Sequence, residues 1–224
     1  MNMKKSAFAV ITTVSLLSFS LGSPMFAAGG TFKDISNVTG KDKINALKAQ
    51  GLIKGISDTQ FLPGSKVTTA QGVQFISGGL QLSLAAIDFN KAPVASSIFS
   101  KVKDNVWYTE AFINAYYNGI EIPANIDPAK PMTKELFTNF LIQGVEKAGN
   151  LPMINIVPVE IADGDSLDPS YQGSVQRSLK YNINTLDANG KFNPKSELTR
   201  AEAAVMLYNA LEYLNSRSNA TSGN

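Results

Sequence analysis

Histidine and cysteine are both absent from the 224 residues. Without cysteine there are no disulfides, no thiolate metal sites and no thiol nucleophile. Without histidine the commonest general base and the commonest metal ligand are missing. Charge of one sign is also lacking once the first 28 residues are set aside. Of the 20 Lys and Arg only Lys4 and Lys5 fall there, and none of the 18 Asp and Glu does, so the remainder is formally neutral. General electrostatic attraction to nucleic acid or anionic lipid is therefore not expected, and any anion must be held by a local site. Long apolar runs are confined to Ala7–Leu21. With Lys4 and Lys5 before it, Pro24 after it and "MFAAGG" beyond, this stretch reads as a signal peptide of residues 1–28. It is short for a membrane-spanning helix. The expectation is a secreted protein, with no membrane contact after cleavage.

What is present is a repeat. "FLPGSKVTTAQ" from Phe61, "IDPAKPMTKEL" from Ile126 and "FNPKSELTRAE" from Phe192 share an apolar residue, then any residue, then Pro. Each reaches a Thr five residues after the Pro: Thr68, Thr133 and Thr199. The residue before each Thr is Val67, Met132 or Leu198. Thr199 followed by Glu202 is a capping box, so each motif opens a helix. Upstream of each motif a helix-compatible segment ends on Gly51-Leu52, Gly119-Ile120 or Asn182-Ile183. Gly and Asn suit the left-handed residue that terminates a helix. Asp34, Asp104 and Asp163 are read as opening the three units. The pattern predicts an all-α protein of three helix–loop–helix units sharing one core, because two such helices bury too little alone. Ala204, Leu207, Tyr208 and Leu211 form the apolar face of the last helix.

An early Asp, an aromatic at the first helix, a Gly-aliphatic stop, F-x-P and then T-R-A-E together resemble the S-layer homology domain, across about residues 31–214. Thr199-Arg200-Ala201-Glu202 matches the motif closely. Thr68-Thr69-Ala70-Gln71 and Thr133-Lys134-Glu135-Leu136 are degenerate, Trp is present only at Trp107, and the third unit offers Tyr171. The resemblance implies a pseudo-threefold, trimer-like helical module with grooves between units. The units are 31–82, 98–148 and 160–214, linkers are 83–97 and 149–159, and 215–224 is a disordered tail. The grooves are expected to hold an anionic, pyruvylated secondary cell wall polysaccharide and so anchor the protein noncovalently, with S-layer or other surface proteins as further partners. The alternative is a structural or partner-binding protein whose glycan sites have decayed. No enzyme activity and no cofactor or metal is expected; "DGDSLD" and "DANGKF" have the composition of ordinary turns.

Arg200 is unusual as the first residue of a helix, since its charge opposes the macrodipole. Its guanidinium and the unpaired N–H groups of the helix start would suit a carboxylate, such as that of a pyruvate ketal. A carboxylate of a neighbouring unit is the competing partner. Lys134 gives charge without the fork, and Thr69 gives neither, so a graded series of sites is expected. Trp107 is a sugar platform or a core anchor. Asp104 and Asp163 are turn formers or ligand contacts. Thr199 and Glu202 are caps first and ligand contacts second.

Overall fold

A computed structural model describes residues 31–152 and 156–222, with side chains as far as Asn219. The leader expected over residues 1–28 lies outside the described residues. The helices are α1 (Lys41–Ala49), α2 (Thr69–Gly79), α3 (Thr109–Tyr117), α4 (Lys134–Ala148), α5 (Gln172–Lys180) and α6 (Arg200–Ser222). Short 3-10 turns precede the first helix of each pair at Lys33–Ile35, Ala95–Ser97 and Gly164–Ser166. The architecture is all-α, three helix pairs in sequence.

The helix boundaries follow the local chemistry. Thr68, Thr133 and Thr199 accept from the N–H groups of Gln71, Leu136 and Glu202 respectively. The Gln71 and Glu202 side chains return the bond to the Thr68 and Thr199 N–H groups, which completes two capping boxes and leaves α4 with half of one. At the far end of the first helices, Gly51, Gly119 and Asn182 all have positive φ, at 71°, 85° and 55°. These are the left-handed stops that Gly and Asn favour.

Three short extended segments, one before each motif helix, close on themselves. Val67 N–H donates to Leu198 C=O at 2.9 Å, Leu198 N–H to Met132 C=O at 2.9 Å, and Met132 N–H to Val67 C=O at 2.8 Å. The side chains of Val67, Met132 and Leu198 are at most 1% exposed, which explains why the residue before each Thr is apolar. Around this ring α2, α4 and α6 converge. Their approach depends on small residues: a Cβ at Gly72 would lie 2.1 Å from the Met132 sulfur, and one at Gly79 would lie 2.4 Å from Leu207. One continuous core runs from Phe32 to Ala210, drawing on all three units. Leu167, Val175 and Phe192 form a small satellite beneath the third.

Two sequence expectations change. The aspartate alignment is wrong in the second unit. Asp34 accepts from the N–H groups of Phe61 and Leu62, and Asp163 from those of Phe192 and Asn193. Their neighbours Lys33 and Ala162 donate to Thr59 and Gly190. In the second unit the matching donor is Ser100, to Ala124, which puts Lys101, not Asp104, at the aspartate's place. Lys101 pairs with Asp127 at 3.4 Å, so the charges are exchanged across the same turn. Asp104 instead accepts from Ser96 N–H at 3.1 Å. The second change is at the C-terminus. Composition points to a disordered tail after residue 214, whereas α6 continues to Ser222; its first half is anchored by packing, and Ser216 and Ser218 donate back to Tyr213 and Leu214.

Candidate functional site

The start of α6 sits on the loop of the first unit. Arg200 N–H donates to Ser65 C=O at 2.9 Å and Ala201 N–H to Pro63 C=O at 3.0 Å. Glu202 N–H is capped by Thr199. The same pattern recurs in cyclic order: Thr69 and Ala70 donate to Lys130 and Pro128, and Lys134 and Glu135 donate to Ser196 and Pro194. The donors expected to be open for an anion are therefore already satisfied by backbone carbonyls, a correction to the sequence reading. A helix start buried in an interface needs such partners, because unpaired N–H groups there are costly.

The Arg200 side chain follows the same route into the first unit. It is 8% exposed, lies 4.7 Å over the Phe61 ring and 5.4 Å from that of Phe75, and donates through Nε to Phe61 C=O at 2.8 Å and through a terminal nitrogen to Lys54 C=O at 3.0 Å. Aromatic faces and carbonyls are the neighbours that a guanidinium tolerates when it leaves water. Arg200 takes no part in the ion pairs Lys101–Asp127, Arg177–Glu146 and Lys195–Glu135. Burial holds its pKa below the ordinary value, opposed by the nearby Asp34 carboxylate.

Arg200 forms part of the wall of a groove of about 600 Å³. The loop after α1, residues 51–56, supplies one side, Gln71, Gln74 and Phe75 of α2 supply another, and Trp107 from the second unit stands at the edge. Trp107 is 62% exposed and meets Tyr108 edge-on at 5.1 Å between ring centroids. It is thus no core anchor. The structure brings together the Arg and the Trp that the sequence separates by 93 positions, from the third and second units, in a groove built on the first. Gly55 is required in that loop, because a Cβ there would lie 2.2 Å from Gln60 C=O and 2.5 Å from the Phe32 ring. Sequence reading missed Lys54, Ile56, Gln71 and Gln74. Lys54 is an exposed cation on the lip of the groove, and Ile56 is 60% exposed there. Nothing in their local pattern marks them; only the position of the loop after α1 does.

The remaining sequence candidates are engaged locally. Thr199 and Glu202 bond to each other, Thr199 Oγ1 donating to Glu202 at 2.6 Å. Asp163 receives two backbone N–H groups. Asp104 caps Ser96, whose bonds hold its carboxyl below the ordinary range. Lys134 lies 4.5 Å over the Phe192 ring, as Arg200 lies over Phe61; burial pushes its pKa down.

A second groove, of about 550 Å³, lies between α4 and α5. In cyclic order Thr69, at the first position of α2, takes the place of Arg200, and its hydroxyl donates to Lys130 C=O. Tyr108 and Tyr171 precede α3 and α5 in the same way, so Ser170, not Tyr171, matches Trp107. The one arginine lining this groove, Arg177, is bound through two nitrogens to Glu146. Tyr181 Oη donates to the same carboxylate at 3.3 Å, and burial with that charge pushes its pKa to about 12. This groove thus carries neither the unpaired arginine nor the exposed indole of the first.

Comparisons with known proteins find relatives that match most of the chain. The chain is 32% identical over 184 residues to an amylopullulanase of Thermoanaerobacterium thermosulfurigenes, covering 81% of this chain and 10% of that protein. It is 31% identical over 187 residues to exoglucanase XynX of Acetivibrio thermocellus, covering 83% and 16%. It is 24% identical over 219 residues to the surface-layer 125 kDa protein of Lysinibacillus sphaericus, covering 94% and 17%. The chain thus spans between 10% and 17% of the lengths of these three relatives. Among the described residues no helix is long and apolar enough to cross a membrane. The profile of the S-layer homology domain family matches residues 31–71 and 160–204, which include the loop supplying Lys54 and the helix start supplying Arg200. The chain is therefore an S-layer homology domain protein, with domains of that family at residues 31–71 and 160–204.

Proposed function

We propose that this protein is a noncovalent cell-wall anchoring module, exported to the cell surface, whose first groove binds an anionic secondary cell wall polysaccharide through a pyruvylated sugar. The observation that carries the reading is the pairing of Arg200 and Trp107 in one open groove, with no protein carboxylate on the guanidinium. Two carbonyls fix the Arg200 fork in place, so little side-chain freedom is lost when a carboxylate arrives. Low solvent access strengthens that contact over one in open water. Lys54 adds a second positive charge at the lip. The exposed indole offers an apolar face to a sugar ring. We infer further that the three units are arranged about a pseudo-threefold axis through the ring of Val67, Met132 and Leu198, a reading supported by the recurrence of the same backbone bonds at each step.

The sequences of the enzymes named above extend far beyond the region they share with this chain. This supports a binding role for the shared part and gives no ground for assigning it their chemistry. The second reading, a structural or partner-binding protein, is favoured by the state of the other two positions, where Thr69 and Lys134 replace arginine. A sedimentation assay with purified sacculi separates the two. Retention that disappears when the glycopolymer is stripped from the peptidoglycan, and that falls in Trp107→Ala, supports anchoring. Retention indifferent to the polymer supports the second reading.

A further inference from the structure

The groove holding Arg200 does not stop at Trp107. On the other side of the indole lies a second concavity of about 310 Å³, which shares Gln74, Gly78 and Trp107 with the first. This concavity shares Leu82, Glu110 and Asn114 in turn with a third, of about 880 Å³, that runs along α3 under the segment after α2 and ends near Asp104. The three share walls in series and differ sharply in charge. The first has Arg200 and Lys54 and no acidic residue, whereas the second and third have Glu110 and Asp104 and no basic residue. The side chains of Gln74, Gln81, Glu110 and Asn114 that line the middle section make no hydrogen bond to the protein among the described residues. They are donors and acceptors of the kind that read hydroxyl and acetamido groups.

We propose that this trough is a binding track for the uncharged sugars that follow the acidic one, so that the protein reads at least two further residues of the polymer with a fixed direction. The inference rests on the anchoring reading above. The acidic sugar is held at Arg200, and the chain passes the edge of Trp107 and continues along α3. The direction follows from charge: a carboxylate placed against Glu110 or Asp104 would meet like charge, so the acidic residue has one place to sit and the neutral residues take the other end. An indole between two subsites can serve a ring on either side. The amides next to it supply the polar contacts that Arg200 is too far along the groove to make.

The test uses isothermal titration calorimetry on the full chain with two synthetic probes: a pyruvate-ketal N-acetylhexosamine methyl glycoside, and the trisaccharide that extends it by two uncharged N-acetylhexosamines. The expected result is trisaccharide affinity about tenfold tighter than that of the monosaccharide. In Glu110→Ala/Asn114→Ala that gain should shrink to threefold or less while monosaccharide affinity is unchanged. Both substitutions lie on the exposed or half-buried side of α3 and place a strong helix former there, so folding is preserved. Equal affinities for the two probes, or a gain that survives the double substitution, would overturn the track and leave the anchoring proposal intact. Failure of the monosaccharide to bind at all would overturn both.

Discussion

Arg200 and Phe61 are joined twice: Nε donates to the Phe61 carbonyl at 2.8 Å, and the guanidinium lies 4.7 Å over the Phe61 ring. One side chain thereby ties the start of α6 to the loop of the first unit and shapes the groove. Arg200→Ala would leave the carbonyls of Phe61 and Lys54 without these donors. A loss of roughly 1–3 kcal/mol in unfolding free energy is expected, measured by urea denaturation, together with loss of glycan binding. Arg200→Lys should retain part of the stability and little of the binding, because a compact ammonium lacks the planar fork that spans two carbonyls and a carboxylate.

Trp107 separates binding from folding. Its ring is largely in solvent, so Trp107→Ala should change stability by no more than about 0.5 kcal/mol. Binding to wall polymer should fall by about tenfold or more, as expected for removal of an aromatic contact of 1.4 kcal/mol. Parallel thermal melts and sacculus binding isotherms on this one variant check both halves.

The convergence of the central helices gives a prediction independent of any ligand. A Cβ at Gly79 would lie within 2.9 Å of three side-chain carbons of Leu207. Gly79→Ala should therefore destabilise by about 1–3 kcal/mol despite the better helix propensity of alanine. Gly79→Ala/Leu207→Ala should cost less than the sum of the two single changes, since removing the clash offsets part of the cavity. Chemical denaturation of the four proteins in the cycle provides the measurement.

Acid should loosen the joint between the first helix turn and its Pro loop. Burial pushes the Asp34 carboxyl up, but the N–H groups of Phe61 and Leu62 and the charge of Arg200 bring it below its ordinary value. A carboxyl depressed in the folded state stabilises above the unfolded-state pKa, and that contribution is lost as pH falls through the folded value. Stability measured from pH 7 to pH 2.5 should thus drop below about pH 4. Asp34→Asn should be less stable at pH 7 and show a shallower fall. An unchanged slope would mean that the carboxylate's bonds to the loop contribute nothing.

How far these features are legible in the sequence differs by element. The caps at Thr68, Thr133 and Thr199 and the stops at Gly51, Gly119 and Asn182 are local: their chemistry is complete within five residues, and the structure has them all. The ring of Val67, Met132 and Leu198 is visible only as a column of apolar residues, because the bonds it makes join residues far apart in the chain. Asp104 fits the aspartate column in sequence but not in structure, because the second unit exchanges the signs of its turn, with Lys101 opposite Asp127. The site is half legible. Arg200 stands out because it opposes its own helix dipole, yet its real partners are carbonyls of another unit, and the N–H groups expected to help it are occupied by that same unit. Lys54 and Gln74 belong to the site by position alone.

The second and third positions should bind little. Lys134 has charge but no guanidinium fork, and the groove between α4 and α5 neutralises Arg177 with Glu146. Lys134→Ala is expected to reduce sacculus retention by no more than about threefold, against tenfold or more for Trp107→Ala. Equal effects would show that binding is shared among the grooves.

The most direct measurement is calorimetric titration of the full chain with a pyruvate-ketal N-acetylhexosamine beside the same sugar lacking the ketal. The account predicts saturable binding of the acidic sugar at one site per chain, weakened by about tenfold or more in Arg200→Lys and in Trp107→Ala, and none of the neutral sugar. Equal affinity for the two sugars, or affinity for the acidic sugar undiminished by either substitution, would contradict it.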